Sequence, residues 1–226
     1  MNGKHSAVTQ DYLKVIWSIR EWHPDEPVTT SSLATRLQVS PSTVSEAVKR
    51  LAERGLVRHD PYASIELTPD GERLALAMVR RHRLLETFLV EQLGFGWDEA
   101  HDDAEILEHA ASDRFVAAID KLLGHPRRDP HGDPIPNDDG VIARPAAQPL
   151  AAAPAPSAVL VERISDANPA MLRYFASIGL LPEAAITLVD RRDFAGVLTI
   201  RVEASGELVE LGDIAAQSVW VSPARP

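Results

Sequence analysis

The amino-acid sequence predicts a mainly α chain with a C-terminal β module: a winged helix-turn-helix, a helical domain and a small barrel of SH3 type. Three observations predict it. Apolar residues recur at helical spacing over much of residues 8–123, broken by two short strand patterns at 56–59 and 64–67. An Ala- and Pro-rich stretch follows at 144–158. Beyond it, five short strand-like segments fall within residues 158–221. The corresponding divisions are 1–74, 75–140, a linker at 141–158, and 159–226.

The first helix spans residues 8–22, with Tyr12, Val15, Ile16, Ile19 and Trp22 at helical spacing and Thr9 as the expected N-cap. Asp11 lies in its first turn. There a carboxylate suits the helix dipole, and a metal-binding role is the second reading. Residues 28–55 read as helix-turn-helix. Thr30 caps a short helix ending at Leu37, and Val39-Ser40-Pro41 is the turn. Ser40 caps the next helix with Pro41 in its first position. Val44, Val48 and Leu51 form its buried stripe, leaving Ser42, Thr43, Ser45, Glu46, Lys49 and Arg50 exposed. Small hydroxyl and cationic side chains on one face suit bases and phosphates, although plain helical domains also contain such pairs of helices. The strand patterns at 56–59, carrying Arg58, and 64–67 flank the turn Asp60-Pro61-Tyr62-Ala63 and add a wing. Ser40 to Glu46 are then the base-reading segment, and Lys49, Arg50 and Arg58 the phosphate contacts.

Thr68-Pro69-Asp70-Gly71-Glu72 opens a long helix that reaches Leu93 and carries His82 and Glu86, four residues apart on one face. Such a pair alone is most often a surface hydrogen bond. After the break Gly94-Phe95-Gly96, a helix over 97–111 places His101, Glu105, Glu108 and His109 within an arc of about 100°. Ile106, Leu107 and Ala110 fall opposite, which predicts an apolar face towards a core and a ligand face away from it. A solvated acidic face is the common alternative. The metal reading ranks above it because both imidazoles sit with the carboxylates, a donor set for a borderline divalent cation. A further helix over 112–123 directs Phe115, Val116, Ile119 and Leu122 inward or to a dimer interface.

Composition bounds the chemistry. The 226 residues contain no cysteine, which excludes disulfides, thiolate zinc sites and cysteine nucleophiles. Residues 1–7 are polar, and no apolar run is long enough to span a bilayer, so a soluble cytoplasmic protein without membrane association is expected. The net charge of −10 is uneven. Residues 1–83 hold 12 Lys and Arg against 10 Asp and Glu, whereas residues 84–140 hold 4 against 14. A mildly basic first third can approach nucleic acid while an acidic middle third holds cations.

These residues resemble the diphtheria-toxin-repressor family of metal-dependent transcriptional repressors, and within it the manganese-responsive members. The carriers are Asp11-Tyr12-Leu13, the stretch from Val39 to Ser45, Arg81-His82-Arg83-Leu84-Leu85-Glu86, Glu105-Ile106-Leu107-Glu108-His109 and the stretch from Pro130 to Pro136. The resemblance implies a winged helix, a helical metal-binding and dimerisation domain and an SH3-like domain. It implies Asp11, Glu105, Glu108 and His109 as ligands of an activating metal, His82 as a ligand in both branches of the family, and Glu86 and His101 as ancillary ligands. Iron-type members carry methionine and cysteine where this chain has Asp11 and Glu105; manganese-type members carry Asp and Glu. Short manganese regulators have a glutamate one turn after the aspartate, where this chain has Lys14. That favours an iron-type layout with manganese-type ligands. The third domain can donate a ligand, Glu162 or Asp166.

The expected function is a manganese-activated repressor of metal-uptake genes. It would bind double-stranded operator DNA as a homodimer, with two dimers per operator as one arrangement. The alternatives are a regulator answering iron(II), cobalt or zinc, and a metallohydrolase. Glu105-x-x-Glu108-His109 approaches the His-x-x-Glu-His zinc peptidase signature but lacks its first histidine, and no substrate motif accompanies it.

Overall fold

The structure, a computed structural model, describes residues 5–60 and 63–224. Its helices are α1 (Ala7–Trp22), α2 (Thr30–Leu37), α3 (Pro41–Glu53), α4 (Pro69–Leu93), α5 (Ala100–Ala110), α6 (Asp113–Leu122), α7 (Pro169–Ser177) and α8 (Asp213–Gln217). Its strands are β1 (Val57–Arg58), β2 (Glu66–Leu67), β3 (Gln148–Pro149), β4 (Ser157–Ile164), β5 (Ala185–Arg192), β6 (Val197–Val202), β7 (Leu208–Gly212) and β8 (Val219–Pro223). The chain divides into two compact units. One comprises residues 1–82, 108–118 and 136–141; the other comprises 83–107, 119–135 and 142–226.

In the first unit the local signals operate one to three residues from where the pattern put them. Ser6, not Thr9, caps α1, its hydroxyl accepting from the Thr9 amide. Thr29 rather than Thr30 caps α2, in a reciprocal capping box with Ser32. Ser40 caps α3 and Pro41 holds its first position, as expected. Between the two helices Gln38 turns the chain in the left-handed region at φ 53°. Tyr12, Leu13, Ile16, Trp17 and Ile19 of α1 are buried, as are Leu33 of α2 and Val44, Val48 and Leu51 of α3. The wing pairs Val57 with Leu67 and Arg58 with Glu66. Pro61 and Tyr62, in the expected turn, lie outside the described residues. Gly71 is fixed by close approach: a Cβ there would stand 2.0 Å from the Leu56 carbonyl oxygen.

The second unit contains an antiparallel sheet ordered β3-β8-β4-β5-β6-β7. Six strands are present where five were expected. The extra one comes from the predicted linker: β3 pairs with β8, and Leu150 just after it is fully buried. Arg191 donates to the carbonyls of Ala151 and Ala153 and fastens this segment to β5. Compositional bias therefore misled here, because one leucine among alanines suffices to anchor a Pro-rich stretch. Val159, Val161, Ile164, Leu172, Phe175, Ile186, Leu188 and Ile200 fill the core.

Residues 126–135 are irregular but built in. The Ile164 amide donates to the His131 carbonyl at 2.9 Å. Arg128 donates to the backbone carbonyl and the side chain of Glu162. Gly132 sits at φ 89°, where a Cβ would stand 2.2 Å from the Glu162 carbonyl oxygen. The loop and β4 are thus in backbone contact.

Candidate metal centre

α5 is turned opposite to the expectation. Glu108 has no exposed surface and Ala100 and Ala104 are buried, whereas Ile106 is 72% exposed and Leu107 is also outside. Glu108 points inward because its charge finds partners in His82 and Lys14, and a paired charge can be buried, while Glu105 on the same stripe stays exposed. The apolar residues are left uncovered.

Asp11 (α1), His82 (α4) and Glu108 with His109 (α5) meet in the first unit. His82 Nδ1 lies 2.7 Å from Glu108 Oε2, and Lys14 Nζ lies 2.6 Å from Glu108 Oε1. Burial works against ionisation of Glu108, yet His82 and Lys14 hold its carboxyl below the usual range. His109 Nδ1 lies 3.1 Å from Gln10 Oε1. An amide oxygen only accepts, so His109 Nδ1 is the donor there. Nε2 faces Asp11 Oδ1 across 2.8 Å. Asp11 Oδ1 is buried and has no hydrogen-bond partner. A carboxylate oxygen and an imidazole nitrogen converging beside a second carboxylate fit a divalent cation with oxygen and nitrogen ligands. Burial raises the Asp11 pKa, with His109 and Lys14 opposing it.

The second unit gathers another donor set around Glu86, which is almost fully buried. His101 Nδ1 lies 3.1 Å from Glu86 Oε1 and 3.1 Å from Asp166 Oδ2. Burial opposes a charge on His101, but its bonds to Asp166 and Glu86 push its pKa up to about 11. Asp166, resisted by burial and held by His101, falls to about 2. Glu86 also groups with Asp129 and His131, all three buried, with donor atoms within 4.8 Å of one another. His131 Nε2 lies 2.7 Å from the Trp97 carbonyl, to which it donates, and the rings of these residues stack at 5.6 Å. His131 Nδ1 is buried and without a hydrogen-bond partner. Burial opposes a charge on this ring, but the nearby carboxylates of Asp129, Glu86 and Asp166 raise its pKa.

Of the two third-domain residues, Asp166 joins this set. Glu162 instead bonds Arg128 and Ser222. Glu105 is partly exposed, its side chain 45% accessible and 3.8 Å from His101 Nε2. Asp129 and His131 were not among the expected site residues. Their signal was available in Asp129-Pro130-His131-Gly132-Asp133-Pro134, an acid- and imidazole-bearing stretch with a glycine that no secondary structure required.

Elsewhere in the first unit, Ser40, Pro41, Ser42, Thr43, Ser45, Glu46, Lys49, Arg50 and Arg58 are all exposed. Ser40 Oγ lies 2.8 Å from both Ser42 Oγ and Thr43 Oγ1. Glu46 and Arg50 pair at 3.3 Å, and Arg58 and Glu66 at 3.6 Å. Both pairs are solvent-exposed and weak enough for phosphates to replace the carboxylates.

Three family descriptions match in chain order. Residues 4–65 match the iron dependent repressor N-terminal DNA binding domain, and residues 68–137 the iron dependent repressor metal binding and dimerisation domain. Residues 148–223 match the FeoA domain. The iron-dependent repressor IdeR of Mycobacterium tuberculosis (strain H37Rv) is 34% identical over 194 residues, which are 80% of this chain and 83% of that protein. The chain belongs to the iron-dependent repressor family. Its members are DNA-binding transcriptional repressors rather than enzymes, which removes the metallohydrolase reading. The diphtheria toxin repressor of Corynebacterium diphtheriae is 38% identical over 58% of this chain and 57% of its own length. Among solved structures, a manganese-dependent transcriptional repressor in complex with manganese is 53% identical, with a TM-score of 0.92 over 96% of this chain and all of that one. The manganese regulator SloR is 34% identical, with a TM-score of 0.80 over 96% of this chain and 98% of its own. For this member of the repressor family, no helix among the described residues is long and apolar enough to cross a membrane.

Proposed function

We propose that this chain is a manganese-activated repressor of metal-uptake genes that acts in the cytoplasm and binds double-stranded operator DNA as a homodimer, with two dimers per operator as one arrangement. The observation that carries the metal reading is the convergence of Asp11 Oδ1 and His109 Nε2, 2.8 Å apart, beside the buried Glu108 carboxylate. Asp11, Glu108, His109 and His82 would hold the activating ion, with Glu105 one turn before Glu108 on α5 as a further donor. Glu86, His101, Asp129, His131 and Asp166 would hold a second. Oxygen-rich sites without sulfur select manganese by ligand type and geometry rather than by raw affinity. The likeness to a solved manganese-dependent repressor supports the same choice.

A bound divalent ion supplies the positive charge that allows these acidic and imidazole groups to converge. The protein supplies the coupling. Asp11 is on α1 while Glu108 and His109 are on α5, so holding one ion in common fixes α1 against α5. From the first turn of α1, Thr9 Oγ1 accepts from Arg54, the residue that follows α3. A fixed α1 therefore biases the setting of α3, whose exposed Ser42, Thr43, Ser45 and Glu46 would read base edges while Lys49, Arg50 and Arg58 meet phosphates. A coupling of about 1–3 kcal/mol is enough to change operator affinity five- to 150-fold.

Iron(II) is the second reading, because the relative IdeR and the matching family descriptions are iron-dependent by name. The test starts from duplexes selected out of a random pool in the presence of Mn2+. Fluorescence anisotropy of the selected duplex is then titrated separately with Mn2+, Fe2+, Co2+ and Zn2+. Tight binding that requires metal, with Mn2+ giving full activation, is expected. Binding that ignores all four metals would overturn the regulator reading, and activation by Fe2+ alone would replace manganese with iron.

A further inference from the structure

Lys14 is the departure that the proposed metal site leaves unexplained. It lies on α1 one turn after Asp11, and its side chain is buried. Its ammonium is 2.6 Å from Glu108 Oε1. That oxygen also faces His109 Nε2 at 3.6 Å, and the Nε2 atom is in turn 2.8 Å from Asp11 Oδ1. The other oxygen of Glu108 is taken by His82 at 2.7 Å. Glu108 is completely enclosed, so water cannot replace a lost partner. A tethered positive charge therefore sits on the carboxylate oxygen that points towards the Asp11–His109 pair.

We propose that Lys14 is a built-in competitor for the activating metal: its ammonium neutralises Glu108 and must give up Oε1 before that oxygen can serve a divalent cation. The proposal rests on the reading of Asp11, Glu108 and His109 as the activating site. Two cations on one buried carboxylate oxygen repel each other in a medium that screens poorly. Loading the site thus requires Lys14 to move, and that cost raises the metal concentration at which the protein responds. The lysine also removes the penalty of an uncompensated buried carboxylate, so the protein tolerates low metal without unfolding. One residue would set the threshold of the response while leaving every ligand in place. A glutamate in this position would add a donor; a lysine subtracts affinity.

The test is direct binding of Mn2+, read from the electron paramagnetic resonance signal of the free ion, on the full chain and on Lys14→Met, Lys14→Gln and Lys14→Arg. Methionine keeps the length without the charge, glutamine keeps polarity without the charge, and arginine keeps the charge. The two neutral variants are expected to bind Mn2+ about tenfold or more tightly than wild type, with arginine at or above the wild-type Kd. They should also melt lower without metal and gain more on adding MnCl2. Neutral variants that fold, as judged by circular dichroism, and bind Mn2+ no more tightly than the arginine variant would overturn the proposal. Wild type that binds no Mn2+ at all would instead sink the functional reading beneath it.

Discussion

At the scale of single residues, Asp11 joins the first helix to the proposed site, and its removal separates coupling from folding. Asp11→Met is expected to keep the fold, because the position is only half-buried and its one close side-chain partner, His109, keeps Gln10. It should weaken manganese activation of DNA binding about tenfold or more and shift the metal ranking towards iron(II) or cobalt, for which thioether is the better ligand. Parallel metal titrations of wild type and mutant, with circular dichroism as control, check this; an unchanged Mn2+ midpoint would reduce Asp11 to a helix-end carboxylate. Protons give a second handle. At pH 7 His101, raised to about 11 once Asp166 and Glu86 outweigh its burial, carries a proton. So does Asp129, raised to about 8 by its burial and by Asp133. Ligation requires both protons to leave. His131, whose pKa its carboxylate neighbours raise against its burial, adds to the same demand. Loading of the second site should therefore release protons, more of them below pH 8 than above it, so affinity rises with pH and most steeply below 8. Calorimetry of Mn2+ binding in buffers of different ionisation enthalpy measures the release, and binding that is indifferent to pH between 6 and 8 would contradict it.

Elements differ in how much of them the sequence discloses. α3 was legible because its cap, its N1 proline and its apolar stripe are all local and agree. The grouping of His101, Glu108 and His109 on one stripe of α5 was legible for the same reason, since periodicity fixes angles around a helix. The direction of that stripe was not. Periodicity shows which residues share a face, but whether that face is buried depends on partners far along the chain, here Lys14 and His82 for Glu108. With the polar face inside, the apolar residues of α5 and α6 are left out: Ile106 is 72%, Leu122 62% and Phe115 48% exposed. On α6 only Ile119 of the four expected inward residues is buried. Residues 68–137 match a metal binding and dimerisation domain, so these exposed apolar side chains are the expected dimer contact. Leu122→Lys should shift the chain from dimer to monomer at micromolar concentration with little effect on monomer stability, because this side chain is already in water. Light scattering coupled to size exclusion reads the mass; a dimer that persists at wild-type strength would place the interface elsewhere.

The whole molecule is less modular than its sequence. Ligand candidates for the second site come from α4, α5, the loop over 126–135 and the segment just after β4. Asp166 follows a strand of the C-terminal sheet, and Asp129 and His131 sit on a loop whose backbone is bonded to that strand. The strand pattern alone gives the C-terminal part a barrel, and only the family resemblance offers a ligand from it, Glu162 or Asp166, since no local pattern announces a contact between residues more than thirty positions apart. Gly132 tests whether the barrel completes the site. Its φ of 89° is strained for any side chain, and a Cβ would press on the Glu162 carbonyl oxygen at 2.2 Å, a backbone atom inside β4 that cannot step aside. Gly132→Ala should therefore cost about 2 kcal/mol or more and push residues 129–133 away from β4. His131 and Asp129 then leave Glu86, whereas Asp11, Glu108 and His109 in the first unit are untouched. The expected result is a folded protein that loses one bound Mn2+ per chain and retains the other, with metal-dependent DNA binding weakened but present. Equilibrium dialysis with metal analysis gives the stoichiometry, and chemical denaturation gives the stability. If the alanine protein keeps the wild-type number of ions at wild-type affinity, the loop and β4 are joined for stability alone and the barrel contributes nothing to metal binding.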